Sequence, residues 1–157
     1  MARAALALAV LLAGCGLISR DFVVEQPFQA GGGVPPFTGS FNTATLIGPL
    51  SGDVSKISSI TLKAARIEAT DGKDVSFVSG ATISISDANH ILPDALLAKL
   101  AAPAPSVATS VELAITPKEM KPYLVSNGTI AAGIDYSPTP VNARALKLVL
   151  TLHGSLF

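Results

Sequence analysis

The sequence of 157 residues has no tryptophan and little charge, and both deficits narrow its possible roles. Only 14% of the residues are charged, and eleven basic side chains balance eleven acidic ones, so no positive excess is available to attract nucleic acid. Aromatic residues make up 5%, which leaves few rings for a platform that stacks on sugars or bases. We therefore expect no nucleic-acid partner.

Metal ligands and activated nucleophiles are also scarce. The only histidines are His90 and His153, and the only cysteine is Cys15. A transition-metal site needs several His, Cys or carboxylate ligands that converge on one point. The glycines at residues 31–33 lack the lysine and the following helix of a phosphate-binding loop, and no G-x-S-x-G segment occurs. We predict no metal, no cofactor and no catalytic residue.

Two short polar segments contain oxygen ligands without the order of a known cation loop. Asp71 and Asp74 lie in "DGKD", which lacks the alternating ligands and the final Glu of an EF-hand. Asp-Gly favours a two-residue hairpin loop, so we predict a solvated tight hairpin here. Asp87, Asn89 and His90 lie in "SDANH", whose residue types are typical of a surface loop.

What the sequence does contain is an apolar run of nine residues, Ala4 to Leu12, which follows directly after Arg3. Nine helical residues span about 14 Å, whereas a helix that crosses a membrane needs roughly 20 residues. The run therefore predicts an export signal and not a membrane span.

The residues that follow this run, Leu12-Ala13-Gly14-Cys15, resemble the lipobox of bacterial lipoproteins. The resemblance implies that residues 1–14 are a signal peptide, that cleavage falls between Gly14 and Cys15, and that Cys15 becomes acylated. Two or more acyl chains hold a protein firmly on a bilayer, because each buried CH₂ adds about 0.8 kcal/mol. Gly16 stands where an Asp would resemble an inner-membrane retention signal, so the outer membrane is favoured if the host has one. The alternative is an ordinary signal peptide that is cleaved elsewhere.

Residues 15–36 are predicted to form the lipidated N-terminus and a flexible linker. They include "QAGGGVPP", in which three glycines and two prolines oppose both helix and strand pairing. Phe22-Val23-Val24 is a candidate for a short edge strand within this linker. Twenty flexible residues would hold the domain roughly 25 Å from the bilayer. The folded domain is predicted to span residues 37–157.

Apolar residues beyond the linker alternate mostly with small or polar ones, which is typical of half-buried strands. We predict a mainly β fold, an antiparallel β-sandwich of six to nine strands with one or two short helices. A change of phase between Ala64 and Ile67 predicts a bulge. The predicted aligned sets are Phe41, Thr43, Thr45 and Ile47; Ile60, Leu62 and Ala64; Ile83 and Ile85; Val111, Leu113 and Ile115; Ile130, Ala132, Ile134 and Tyr136; and Leu146, Leu148, Leu150 and Leu152.

Two segments depart from this alternation. Residues 94–102, "DALLAKLAA", fit either a helical turn capped by Asp94 or a strand buried on both faces, and the sequence leaves both open. In "TPKEMKPYL", a cap at Thr116, Pro117 at the first helical position and Glu119 in a capping box predict a short helix. Pro122 limits this helix to about two turns.

These patterns together predict a membrane-anchored envelope lipoprotein that is not an enzyme and acts as a structural or protein-binding module. Its expected partners are the lipid bilayer, through acylated Cys15, and an envelope protein that pairs with an open sheet edge. The alternative is a carrier of a lipid or another apolar ligand between the sheets, motivated by the leucines of the final strand. The domain also resembles uncharacterised exported envelope domains, a resemblance that implies no activity and no ligand-binding residues.

Overall fold

Two antiparallel β-sheets packed face to face form the part of the chain that the computed structural model describes, residues 18–42 and 54–156. A 3₁₀ turn, Val54–Lys56, and one short helix, α1 (Lys121–Val125), accompany them. The strands are β1 (Ile18–Ala30), β2 (Phe37–Asn42), β3 (Ile57–Ala69), β4 (Val78–Ser86), β5 (Ala95–Lys99), β6 (Ser110–Glu112), β7 (Ala114–Ile115), β8 (Thr129–Tyr136) and β9 (Arg144–Leu156).

The strand order is β1-β9-β3-β6 in the first sheet and β2-β8-β4-β5-β7 in the second. Every neighbouring pair is antiparallel. Side chains from the inner faces of both sheets meet in one buried cluster. The predicted mainly β class and antiparallel sandwich are confirmed, and the nine strands of the described part fall within the predicted six to nine.

The first strand corrects the predicted linker. Residues 18–30, which fall within the predicted linker of residues 15–36, form β1 and pair with β9 at 13 consecutive positions. They do so because Phe22, Val24 and Phe28 alternate inward and are buried in the core. The short edge strand predicted around Phe22 is therefore part of a much longer one.

The glycine run forms a packed turn between β1 and β2. Gly31, Gly32 and Gly33 have φ angles of 78°, 63° and 84°, in the left-handed region that favours glycine. A Cβ on Gly31 would lie 2.3 Å from the carbonyl oxygen of Pro140, and the N–H of Gly32 donates to the same oxygen at 3.0 Å. The glycines thus belong to the sandwich.

β3 contains a bulge, as predicted, but the bulge lies before Ala64 and not between Ala64 and Ile67. The register of β3 against β9 shifts between Leu62 and Ala64. The inward set consequently continues with Ala65 and Ile67, which are buried, and Ala64 is only half-buried. The predicted alignment of Ala64 with Leu62 is wrong, because the extra residue of the bulge shifts the inward-facing positions by one residue along the strand.

The Asp71-Gly72 turn does not close a hairpin, contrary to the prediction. β3 before the turn belongs to the first sheet and β4 after it belongs to the second, so the chain crosses between sheets here. The local turn itself forms, since Asp71 Oδ1 accepts a hydrogen bond from the N–H of Lys73 at 3.0 Å. Turn residues therefore indicated a change of direction but not the pairing of the strands around it.

Residues 94–102, for which the sequence allowed either a helical turn or a strand, contain a strand. Residues 95–99 form β5, which pairs with β4 and β7. Leu97 and Ala98 are buried, and Leu96 points outward with 38% exposure.

The predicted short helix exists, but it begins later than expected. Helix α1 starts at Lys121 with Pro122 in its first turn, so the predicted cap at Thr116 and first position at Pro117 are wrong. Thr116 is instead held beside β5, because its N–H donates to the carbonyl of Leu97 at 2.8 Å. Glu119 lies before the helix, and its carboxylate accepts the N–H of Lys121 at 2.9 Å.

Most of the predicted apolar sets lie in the core. Leu113 is buried where the chain passes from β6 in the first sheet to β7 in the second. Of the set that begins at Phe41, only this residue is described, on β2 and buried, while Thr43, Thr45 and Ile47 lie outside the described residues. The other buried members are Ile60, Leu62, Ile83, Ile85, Val111, Ile130, Ala132, Ile134, Leu146, Leu148, Leu150 and Leu152.

Candidate functional site

The predicted cleavage and acylation residues, Gly14 and Cys15, lie outside the described residues. The first described residue is Ile18, which begins β1 three positions after Cys15. Three residues of fully extended chain span at most about 11 Å. Any group attached to Cys15 is therefore bound to the protein within that distance of the first strand. In the described part, no helix is long and apolar enough to cross a membrane.

β1 presents the longest sheet edge of the described structure. Within residues 18–42 and 54–156 it pairs with β9 alone, so the main-chain groups on its other side face no described strand. The other edge strands, β2, β6 and β7, have 6, 3 and 2 residues. Val23 points outward in the middle of β1 with 55% exposure. This edge can pair with a further strand, except that Pro27 has no N–H to donate at its position.

The outer face of the first sheet carries an ionic cluster beside the start of β1. Asp21 of β1 forms an ion pair with Lys63 of β3, and its Oδ1 lies 2.7 Å from Nδ1 of His153 on β9. Lys63 and then His153 hold the pKa of Asp21 below its usual range, because both favour the charged carboxylate. Three adjacent strands thus contribute one side chain each.

A second ionic group lies farther along the same face. Nζ of Lys147 lies 2.8 Å from Glu25 of β1 and 3.2 Å from Glu68 of β3, and Arg66 also pairs with Glu68. Glu25, followed by Glu68, raises the pKa of Lys147, and Arg66 is the main cause of a lowered pKa at Glu68. Exposed ion pairs contribute little to stability, so these groups chiefly determine the charge pattern of this face.

The outer face of the second sheet has a different chemistry. Mostly small and hydroxyl side chains occupy facing positions of β2, β8 and β4, and Asp135 of β8 is the charged one among them. The other residues of this surface are Thr38, Ser40, Thr82, Ser84, Ser86, Thr129, Ala131 and Gly133. The two outer faces of the sandwich therefore offer different surfaces to a partner.

Asp87 is the buried charged side chain of the described residues, with 1% exposure. Its carboxylate accepts hydrogen bonds from the N–H groups of Asn89, Ile91 and Leu92 at 3.0, 2.9 and 3.1 Å. The Ser126 hydroxyl and these N–H groups hold the pKa of Asp87 far below its usual range. Asp87 therefore organises the loop of residues 87–93. The turn-forming residues of "SDANH" predicted the loop but not the burial of Asp87.

The aspartates of "DGKD" also bind groups of the protein itself. Asp71 lies 3.4 Å from Nε of Arg144, and Asp74 accepts the N–H of Ser76 at 2.8 Å. Within the described ranges, no three His, Cys, Asp or Glu side chains form a group that could hold a metal ion.

Sequence reasoning did not find the ionic cluster. Asp21 is separated from Lys63 by 42 positions and from His153 by 132, so only the register of β1, β9 and β3 brings them together. A strand over these residues was indicated by the alternation of Asp21, Val23 and Glu25 with apolar residues that are buried. The glycines and prolines that follow instead favoured a linker.

Comparisons with known proteins assign no family to this chain. No family model matches, and no curated protein matches. A decameric BFDV capsid protein is similar over 90% of this chain and 99% of its own, with 8% identity and a TM-score of 0.40. Structures of turnip yellow mosaic virus (88% and 95%, 15% identity, TM-score 0.35) and Desmodium yellow mottle tymovirus (87% and 89%, 11% identity, TM-score 0.34) are similar to it too. Similarity at these TM-scores carries no argument about function.

Proposed function

We propose that this protein is a bacterial envelope lipoprotein, anchored through acylated Cys15, whose β-sandwich binds another envelope protein and catalyses no reaction. The observation that carries the proposal is the order of Arg3, the apolar run and Leu12-Ala13-Gly14-Cys15, which ends three positions before the first strand. Acylation would consume the only thiol of the chain. Gly16 favours the outer membrane where the host has two membranes.

The open edge of β1 supports the protein-binding part of the proposal. A strand added to a sheet edge gains affinity from main-chain hydrogen bonds and specificity from alternate side chains. Asp21, Val23 and Glu25 would flank such a strand on the outer face. Their mixture of charge and an exposed apolar side chain suits a protein segment.

The leucines that motivate the apolar-carrier alternative are explained without a ligand. Leu146, Leu148, Leu150 and Leu152 have 0% exposure and pack in the core cluster with side chains of both sheets. We therefore interpret them as core residues and do not favour a ligand between the sheets.

The anchor is tested by replacing the cysteine. Wild-type protein should incorporate labelled fatty acid and sediment with membranes, and Cys15→Ala should do neither. Gly16→Ala, one residue away, is the matched control and should behave as wild type. Absence of label from the wild-type protein would refute the anchor.

The edge is tested with a photo-cross-linking amino acid in place of Val23, expressed in the native host. We expect a discrete covalent adduct with an envelope protein. The same group at Val141, which is 91% exposed and lies far from this part of β1, should give none. Equal adducts at both positions, or none at Val23, would contradict partner binding at the β1 edge.

A further inference from the structure

One end of the sandwich is defined by the start of β1. Ile18 pairs with Leu156, and Leu156 also pairs with Ile57 at the start of β3. The 3₁₀ turn Val54–Lys56 comes directly before Ile57 and contacts α1. We name this region, together with the loop of residues 87–93, the α1 end.

The α1 end exposes apolar side chains. The 87–93 loop lies against α1, because the hydroxyl of Tyr123 donates to the carbonyl of Pro93 at 2.8 Å. Ile91 of this loop is 80% exposed, and Val125, the last residue of α1, is 61% exposed. Two large apolar side chains are thus presented at the end of the molecule that is nearest in sequence to Cys15.

The α1 end carries lysines that can contact an anionic surface. Lys56, Lys118 and Lys121 lie in or beside the 3₁₀ turn and α1. The described carboxylates of this end are Asp94, Glu119, the buried Asp87 and, near the start of β1, Asp21, which is paired with Lys63 and His153. The carboxylate of Glu119 already accepts main-chain N–H groups. Lysine stems can lie along apolar material while their ammonium groups reach phosphates, and anionic lipids attract such lysines.

The chain between Cys15 and β1 is too short to let this end move away from a bilayer. The three residues from Cys15 to Ile18 span at most about 11 Å, in contrast to the roughly 25 Å expected of a twenty-residue linker. A tether of that length brings the α1 end to the depth of the lipid headgroups. We propose that the α1 end is a membrane-facing surface that rests on anionic phospholipid headgroups, an inference that depends on the proposed acylation of Cys15.

The opposite end of the sandwich points into the periplasmic or external space under this proposal. A strand as long as β1 spans roughly 40 Å, which is the distance between the two ends. Val141 lies at the far end, next to the packed glycines, and is 91% exposed. Val125 and Val141 are therefore exposed residues of the same type at opposite ends, which makes them a matched pair.

The experiment uses full-length protein purified from membranes and reconstituted in vesicles of phosphatidylethanolamine and phosphatidylglycerol. Because acylation consumes Cys15, an introduced cysteine is the only free thiol and can carry a fluorophore. Val125→Cys is compared with Val141→Cys, and Ile91→Cys provides a second position at the α1 end. Spin-labelled lipid headgroups should quench the α1-end labels at least about threefold more than the label at residue 141, because the strand length separates them.

Equal quenching at Val125→Cys and Val141→Cys, in protein whose mass includes the acyl chains, would overturn the membrane-facing surface and leave the anchor intact. Protein without acyl chains, which washes off the vesicles, would overturn the proposed function and this inference together. Inserting twenty Gly and Ser residues between Gly16 and Leu17 lengthens the tether to roughly 25 Å and should bring the quenching ratio towards one. An unchanged ratio would contradict the role of the short connection.

Discussion

Replacing Gly31 by alanine tests whether the glycine run is a packed turn of the sandwich. Gly31 has a φ of 78°, and a Cβ there would lie 2.3 Å from the carbonyl oxygen of Pro140. Gly33 has a φ of 84°, but a Cβ there would meet no atom within 4 Å. The two positions share the backbone conformation and differ in the clash, so Gly33→Ala is the matched control.

The loss of stability in each variant follows from two contributions, the left-handed backbone and the steric clash. A left-handed backbone costs a residue with a Cβ about 1–2 kcal/mol, so Gly33→Ala should lower the free energy of unfolding by about that amount. At Gly31 the added carbon must also displace the segment that contains Pro140, and forcing a group into a packed contact costs about 1–3 kcal/mol. Gly31→Ala should therefore cost about 2–5 kcal/mol in all.

Thermal unfolding of the purified protein, followed by far-ultraviolet circular dichroism, measures both changes. One kcal/mol corresponds to about 4 °C in Tm for a domain of this size, so we expect losses of about 4–8 °C for Gly33→Ala and about 8–20 °C for Gly31→Ala. If Tm changed by less than about 1 °C in both variants, residues 31–36 would lie outside the cooperative unit and the packed turn would be refuted. Equal losses would refute the contact with Pro140.

Two further predictions concern the core and the 87–93 loop. Leu150, on the inner face of β9, has 0% exposure, so Leu150→Ala should lower the free energy of unfolding in urea by about 2–5 kcal/mol. Thr151→Ala, on the outer face of the same strand, should cost about 1 kcal/mol or less, and equal losses would contradict the assigned faces. Asp87→Asn should be less stable than wild type at neutral pH. Because folding lowers the pKa of Asp87, the carboxylate stabilises the protein above the ordinary pKa of about 4 and loses this contribution as the pH falls below it. The gap in urea midpoint should therefore narrow on acidification, and a constant gap would contradict this role of Asp87.

Local alternation predicted the strands whose inner faces build the core. The apolar sets of β4, β8 and β9 are each continuous in sequence, so period-two patterning was sufficient to identify them. The bulge in β3 was predictable for the same reason, since it appears as a change of phase within one strand. These features depend on neighbouring residues alone.

Sheet membership and the surface clusters could not be predicted in this way. The Asp71-Gly72 turn has the same residues whether the next strand pairs with β3 or enters the other sheet. Thr116 and Pro117 have the residue types of a helix start, but the N–H of Thr116 is hydrogen bonded to the distant Leu97 instead. Asp21 meets Lys63 and His153 only after three distant strands have paired.

The position of β9 in the first sheet has a consequence for the order of folding. β9 is the last strand in chain order, yet it lies between β1 and β3, and among the described residues it is the only partner of β1. Synthesis delivers β1 first, so this strand must wait unpaired until Arg144–Leu156 has emerged. Such long-range pairing slows folding and leaves an apolar strand open to aggregation in the meantime. A chaperone that shields Phe22, Val24 and Phe28 during that interval would raise the yield of folded protein more than one that acts on the second sheet.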